Sequence, residues 1–173
     1  RGVLVHLSGS PDLAGAADAL RLHADGGLLV ADDGTIAWSG PWHERPIDDA
    51  PVTDHHGAFL LPGFVDTHIH YAQTDMIASY GAELLEWLGQ YTFPAEARFA
   101  DPAHASEVAG FFIQELLRNG TTTAVVFATS HPASVDAIFA AAEAESMRIV
   151  AGKVLTAVAT GAARWGGAPA GMK

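Results

Sequence analysis

Cysteine is absent from the 173 residues of this chain. No disulfide framework can therefore stabilise the fold, and any zinc site must be built from histidine, aspartate or glutamate. The same absence excludes the class of deaminases that hold zinc through thiolates. A chain without cysteine fits a reducing compartment, and we predict a cytoplasmic location.

Basic residues are also scarce, with nine Lys and Arg against twenty Asp and Glu and a formal net charge of −11. This balance argues against a surface for nucleic acid or for an anionic membrane. No apolar run approaches the ~20 residues of a membrane span, and no signal-peptide pattern opens the chain. Hydrophobic residues make up 49% of the sequence, which is enough for a substantial core. We therefore expect a soluble protein with neither a nucleic-acid nor a membrane partner.

Two of the nine histidines, His68 and His70, stand two residues apart at the end of an apolar run. A β-strand places residues i and i+2 on the same face, so Asp66, His68 and His70 should point the same way. Two imidazoles on one face suit a divalent metal ion. The alternative is that the two histidines are unrelated, one solvated and one hydrogen-bonded inside the protein.

The residue pattern divides the chain into three parts. Residues 1–58 are rich in β-strand signals, with a strand over 2–7 and a hairpin whose turn is Asp33-Gly34. Residues 59–155 alternate between strand and helix patterns. Residues 156–173 contain ten Ala and Gly without apolar periodicity, and we expect this tail to be disordered or outside the family pattern described below.

The middle part predicts a parallel sheet. Strands are expected over 59–65, 121–127 and 148–155, and helices over 83–88, 103–118 and 134–146, with Pro94 ending the first helical region. The longer helices should bury one face each, comprising Val108, Phe111, Phe112 and Leu116 in one and Val135, Ile138, Phe139 and Ala142 in the other. Strand–helix–strand units of this kind are right-handed and bind ligands at the carboxyl ends of their strands. His68 and His70 lie at such an end.

Residues 62–70, PGFVDTHIH, resemble the first-strand signature of the amidohydrolase superfamily. More specific segments follow in order and resemble the guanine deaminase family within it: LLEWL at 84–88, YTFPAE at 91–96, RNGTTT at 118–123 and FAT at 127–129. The resemblance implies an α/β fold, with the first three strands of a (β/α)8 TIM-like barrel over 59–155. Residues 1–58 would form part of a small β-sandwich domain. Because such a barrel takes ~250 residues, we expect it to be incomplete in this chain.

The resemblance also implies roles for individual residues. His68 and His70 would be zinc ligands, and Gln73 would hydrogen-bond the purine through its amide. Trp87 and Phe93 would form flat walls of the pocket. The alternatives are a loop-capping amide for Gln73 and ordinary core packing for the two rings.

Three further residues are expected to have structural roles. Glu86 and Glu96 should hold the connecting loop through ion pairs or backbone hydrogen bonds. His131 follows the second strand and should cap the next helix rather than join the site.

The implied reaction is zinc-dependent hydrolysis of guanine to xanthine and ammonia. Family members are usually homodimers and draw a further His, an Asp and a proton-shuttling Glu from later strands, so no catalytic acid–base residue is expected within residues 1–173. We therefore predict that this chain alone is inactive. One alternative is another amidohydrolase that acts on a purine-like or triazine-like ring. Another is a non-catalytic protein that keeps the scaffold.

Overall fold

The structure divides inside the apolar run that follows the hairpin pattern, between Pro62 and Gly63. The computed structural model describes residues 1–155 except 11, 13, 14, 48 and 82. Two compact units emerge, Arg1–Pro62 and Gly63–Lys173. The tail predicted over 156–173 lies outside the described residues, and the assignment of the two units to a β-sandwich and a barrel remains a prediction.

The first unit contains a four-stranded sheet in the order β3-β2-β1-β4. Its strands are β1 (Gly2–Leu7), β2 (Leu20–Val30), β3 (Ile36–Pro41) and β4 (Phe59–Leu60), and the short helix α1 (Ala16–Ala19) precedes β2. β2 pairs antiparallel with both β1 and β3. Gly34 has a φ of 83° in the turn before β3, where the Thr35 amide donates to Asp33 Oδ1 at 2.9 Å. The predicted first strand and the predicted hairpin are therefore confirmed.

The predicted strand over 59–65 is wrong as a single element. Phe59 and Leu60 pair in parallel with β1 in the first unit, whereas a new strand begins at Phe64 in the second unit. Pro62 and Gly63 lie between the two strands. Proline has no amide hydrogen to donate to a sheet, and glycine weakens a strand interior, so the apolar run is interrupted at these residues.

The second unit is built on three parallel strands in the order β5-β6-β7. These strands are β5 (Phe64–His70), β6 (Thr121–Phe127) and β7 (Arg148–Gly152), of which β7 ends earlier than predicted. They alternate with the two long helices α4 (Pro102–Arg118) and α5 (Pro132–Ala144). The prediction of a parallel sheet with strand–helix–strand units is thus confirmed.

Each long helix packs the predicted face into the core except at one residue, Phe111 in α4 and Phe139 in α5. Phe112 and Ile113 of α4 are buried, whereas Phe111 is 56% exposed. In α5, Ile138 is buried and the neighbouring Phe139 is 43% exposed. Successive helical residues point about 100° apart, so burial of one neighbour turns the other away from the core. None of the helices in the described part of the chain has the length and apolar character needed to cross a membrane.

The boundaries of α4 follow from local chemistry. Asp101 occupies the N-cap position, and its carboxylate accepts a hydrogen bond from the Ala103 amide at 3.0 Å. At the other end, Gly120 has a φ of 83°, a left-handed conformation that glycine adopts without steric cost.

The connection between β5 and α4 is mostly helical. It contains a 3₁₀ segment (Tyr71–Met76), the helix α2 (Leu84–Trp87), a π-helical turn (Leu88–Thr92), the helix α3 (Phe93–Ala97) and a second 3₁₀ segment (Arg98–Ala100). The prediction that Pro94 ends the helical region is wrong, since Pro94 lies in the first turn of α3. Proline is tolerated there because its fixed φ is helical and a first-turn amide needs no partner within the helix.

Gly63 allows β5 to start close to its neighbouring strand. A Cβ atom at this position would come within 2.0 Å of Thr122 Oγ1 and 2.7 Å of Thr122 Cβ. We predict that Gly63→Ala destabilises the protein by about 1–3 kcal/mol, because the two strands must move apart. The free energy of unfolding in urea would measure this loss.

Gly110→Ala is the matched control. Gly110 lies inside α4, and nothing stands within 4 Å of a Cβ built there. This change should stabilise the protein by about 0.5–1 kcal/mol, since alanine favours a helix interior. Equal effects of the two substitutions would contradict the close approach at Gly63.

Candidate metal site at the end of the first parallel strand

The imidazoles of His68 and His70 converge at the carboxyl end of β5. Their Nε2 atoms are 3.3 Å apart, and their ring centroids are 5.1 Å apart. The alternation of a β-strand brings both rings to one side, as the spacing in the sequence suggests. Two ring nitrogens directed at the same point can serve as two ligands of one ion.

Phe127, which sequence reasoning did not assign to the site, supports both rings. It pairs with His70 in the β5–β6 register. Its ring stacks on His70 with centroids 4.7 Å apart at an angle of 13°, and its centroid is also 4.7 Å from that of His68. The parallel register provides the signal that could have found it, because residues that end adjacent parallel strands lie at the same edge.

The environment of His70 favours a neutral imidazole. Burial lowers the pKa of His70, and the nearby charge of His68 in its protonated form lowers that pKa further. A histidine must be neutral at its ligating nitrogen to bind a metal. The electrostatics at His70 therefore fit the requirement for coordination.

Asp66 shares the strand with the two histidines, but its carboxylate is turned to the backbone. Asp66 Oδ1 accepts a hydrogen bond from the His68 amide at 2.9 Å. The β5–β6 register is irregular between Asp66 and Ile69, just where this bond forms. Asp66 thus shapes the backbone that carries His68.

Gln73 lies beside the histidine pair on the 3₁₀ segment that follows β5. Its Nε2 is 3.4 Å from His70 Nδ1, and its side chain also hydrogen-bonds the carboxyl group of Glu96 on α3. Burial raises the pKa of Glu96, and the bond from Gln73 opposes that rise. Glu96 was expected to hold the loop through ion pairs or backbone bonds; instead its side chain contacts Gln73.

Tyr71 anchors the start of the segment that carries Gln73. Its side chain is fully buried, and its hydroxyl donates to the backbone carbonyl of Ser134 in α5. Its ring meets Phe99 edge to face with centroids 5.1 Å apart. The Thr74 hydroxyl then donates to the Tyr71 carbonyl at 2.6 Å, which closes the turn around Gln73.

A cluster of charged side chains holds the other end of the same segment. Asp75 Oδ2 lies 2.6 Å from Arg98 Nη1 and 3.7 Å from His104 Nε2. Arg98 belongs to the second 3₁₀ segment, and His104 lies in the first turn of α4. These contacts join the Gln73 segment to the elements that follow it.

Three further predicted residues, Trp87, Phe93 and His131, lie on the helical elements that follow β5 and β6. Trp87 and Phe93 flank the π-helical turn and are half-buried, so a pocket-wall role for them remains a prediction. His131 occupies the N-cap position of α5, but its side chain makes no capping hydrogen bond; its backbone carbonyl accepts from the Ser134 amide and hydroxyl. The predicted capping role is therefore limited to the His131 backbone.

The ligand set around the pair is partial within the described residues. Across residues 1–155, apart from those not described, no group of three or more His, Cys, Asp or Glu side chains could hold a metal ion. The described site thus contains the two ring nitrogens of the histidine pair, the amide of Gln73 beside them and the carboxyl group of Glu96 next to that amide.

The family model for the amidohydrolase family matches residues 59–165, which is more than half of the chain. The chain belongs to the amidohydrolase family. The match includes the histidine pair, Gln73 and Glu96, and it extends to residue 165, beyond Leu155, where the sequence pattern was expected to end.

Within this family, the chain is similar in sequence and structure to several guanine deaminases. Guanine deaminase of Escherichia coli (strain K12) is 52% identical over 143 residues, which cover 80% of this chain and 32% of that protein. The solved structure of the E. coli guanine deaminase has a TM-score of 0.80 at 48% identity, covering 90% of this chain and 37% of that one. A guanine deaminase from C. acetobutylicum, solved with guanine bound in the active site, has a TM-score of 0.72 at 28% identity, covering 87% and 34%. This chain spans about a third of the length of the curated relatives it matches.

The burial of Tyr71 predicts a loss of stability in alkali. Burial raises the pKa of Tyr71 to about 12 from an ordinary value of 10.0. The contribution of the neutral Tyr71 hydroxyl to the free energy of unfolding is fully present below pH 10 and is lost as the pH rises toward 12. In that range Tyr71 ionises readily in the unfolded chain and resists ionisation in the folded one. We expect about 2–3 kcal/mol of this loss to disappear in Tyr71→Phe.

The measurement is the free energy of unfolding of the protein and its variants between pH 9 and pH 12. At neutral pH, Tyr71→Phe should cost about 1 kcal/mol, because the Ser134 carbonyl loses its donor. Tyr80→Phe is the control, since Tyr80 is 82% exposed and its loss should leave the alkaline profile unchanged. Parallel alkaline profiles for the parent and Tyr71→Phe would contradict the prediction.

Proposed function

We propose that this chain forms the first part of a guanine deaminase that hydrolyses guanine to xanthine and ammonia. The carrying observation is the convergence of the His68 and His70 nitrogens at a strand end, in a chain whose relatives are guanine deaminases. In this reaction a water oxygen bonds to the ring carbon that bears the exocyclic amine. The bond from that carbon to nitrogen breaks, and the nitrogen leaves as ammonia.

The donor set fits a zinc ion. Zinc binds imidazole nitrogen well, and two histidines two residues apart on a strand can serve as two of its ligands. When bound, the ion supplies Lewis-acid chemistry that activates water for hydrolysis. The remaining ligands and the acid–base carboxylate are proposed to come from residues outside the described ones.

The residues of this chain have distinct parts in that scheme. His68 and His70 present their ring nitrogens, and Phe127 stacks on the His70 ring and contacts the tilted His68 ring. Gln73 lies within 3.4 Å of His70 and offers its amide to the purine ring. Trp87 and Phe93 would bound the pocket as flat apolar walls.

The partial ligand set supports a second part of the proposal. Two imidazoles leave a tetrahedral zinc site half filled, so we propose that residues 1–173 alone have negligible deaminase activity. In the full-length protein we expect the complete barrel, a homodimer and a cytoplasmic location.

The test uses the full-length protein that carries this chain, purified and assayed for xanthine formation and for zinc content. We expect guanine to be converted with about one zinc bound per chain. His70→Ala should lower the zinc content and reduce kcat/KM by at least about 100-fold, since loss even of the groups that support metal ligands costs 10–100-fold. His43→Ala is the control, because His43 lies in the first unit and its side chain is 80% exposed.

Three outcomes would contradict parts of this proposal. Conversion of other aminopurines or of triazines without conversion of guanine would favour a different amidohydrolase. Zinc-free protein without hydrolytic activity would favour a non-catalytic scaffold. Xanthine formation by the purified 173-residue chain would overturn the predicted inactivity of this chain alone.

A further inference from the structure

Phe127 ends β6 on the face of the strand opposite the hydrophobic core. The alternate residues Ala124, Val126 and Ala128 face the core and are between 0% and 3% exposed. Phe127 lies between the last two, is 37% exposed and stands outside the core of the described residues. Core packing therefore does not account for a large apolar ring at this position.

The Phe127 ring lies against the two imidazoles. The β5–β6 register pairs Phe127 with His70, so the two side chains emerge on the same face of the sheet. The phenyl plane is 13° from that of His70 and 49° from that of His68, and both centroid distances are 4.7 Å. On the other side, β7 places Gly152 opposite Phe127, where no side chain competes for the ring.

A stacked neighbour fixes a property of His70 that its own torsion angles leave open. The torsion that turns an imidazole about its Cβ–Cγ bond has only a broad preference. With Phe127 stacked at 4.7 Å, the His70 ring cannot turn edge-on without meeting the phenyl ring. The ligating lone pair of an imidazole lies in the ring plane, so the stack limits where an ion bound to His70 can lie.

The geometry of the histidine pair matches the use of two such planes. The His68 and His70 planes are 62° apart and therefore meet along one line, near which an ion held by both rings must lie. Their Nε2 atoms are 3.3 Å apart. Two nitrogens bound to a tetrahedral zinc ion at about 2.0–2.1 Å lie about 3.3–3.4 Å from each other. The pair is thus already spaced for an ion, and binding needs to order few side-chain torsions.

We propose that Phe127 is a positioning residue that fixes the plane of His70 and thereby raises the affinity of the histidine pair for a divalent metal ion. This inference rests on the proposed function for the identity of the ion, whereas the stack of Phe127 on His70 does not depend on it. Phe127 acts through the imidazole and supplies no ligand of its own.

The zinc affinity of the full-length protein that carries this chain, measured by competition with a chelator, tests this role. Phe127→Leu keeps an apolar side chain and removes the flat face. We expect it to weaken zinc binding about 10-fold, at the lower end of the losses caused by removing groups that support metal ligands. Phe127→Tyr keeps the flat face and should bind zinc within about twofold of the parent.

Phe139→Leu is the matched control, because it makes the same change at a ring that is 43% exposed on α5. It should leave the zinc affinity unchanged. An unchanged affinity in Phe127→Leu would overturn the positioning role. An equal loss in Phe139→Leu, or in Phe127→Tyr, would overturn it in favour of a general structural one.

A second readout separates this inference from the proposed function and does not depend on the folding of a variant. A phenyl ring stacked on an imidazole moves the imidazole proton resonances upfield. In the full-length protein with ¹³C-labelled histidine, the His70 ring protons should therefore resonate upfield of those of His43, whose side chain is 80% exposed. Equal resonance positions for the two histidines would overturn the inference whatever the activity of the protein.

The two proposals can fail separately. A protein that shows the upfield His70 resonances but neither binds zinc nor converts guanine would contradict the proposed function. The competition experiment would then use Ni²⁺, which imidazole also binds. A weaker affinity for Ni²⁺ in Phe127→Leu, with the parent affinity kept in Phe127→Tyr, would still support the positioning role, and equal affinities in all three proteins would overturn it.

Discussion

The parallel pairing of β5 with β6 is the constraint on which the candidate site depends. It places His70 opposite Phe127, so that the ring at the end of one strand stacks on the ring at the end of the next. The register is fixed at the other end by Gly63, whose backbone approaches Thr122, and by the bond from the Phe64 amide to the Gly120 carbonyl at 2.8 Å. A slip of one residue would turn both imidazoles to the opposite face of the sheet.

The strand alone does not complete the arrangement around His70. The segment after β5 returns to the core through Tyr71 and bonds outward through Asp75, so Gln73 is held between two anchors. Glu96 reaches the same amide from a different helix. Rigid strands thus position the ring nitrogens, while a helical connection positions the polar group next to them, and a change in either could alter one without the other.

Features governed by local residue chemistry could be predicted from the sequence. The alternation in β5 placed both histidines on one face, and the apolar spacing predicted α4 over 103–118, one residue short of its observed start at Pro102. Features that depend on packing between distant segments could not. The sequence pattern assigned Phe59 and Leu60 to the strand that became β5, because apolar character alone does not indicate which sheet a strand joins. Pro94 read as a helix end because the preceding π-helical turn has no marker in residue type.

The site shows the same division. His68, His70 and Gln73 lie within six residues, and the structure brings them together as their spacing suggests. The proximity of Glu96 to Gln73 could not be foreseen, because it depends on how the helical connection folds back. In the two long helices, periodicity placed both members of the pairs Phe111–Phe112 and Ile138–Phe139 in the core, yet only Phe112 and Ile138 are buried. A difference of one residue around a helix is too small for a hydrophobic pattern to resolve.

The bond between Tyr71 and Ser134 has a consequence for synthesis on the ribosome. The two residues are 63 positions apart, and the acceptor lies in a helix that follows two of the three parallel strands. At ordinary elongation rates, roughly 3–13 seconds separate the emergence of the histidine pair from that of the group that anchors the adjoining segment. During this interval the segment that follows the two histidines lacks the hydrogen bond from Tyr71 to Ser134. The candidate site can therefore mature only after its most recognisable residues have left the ribosome.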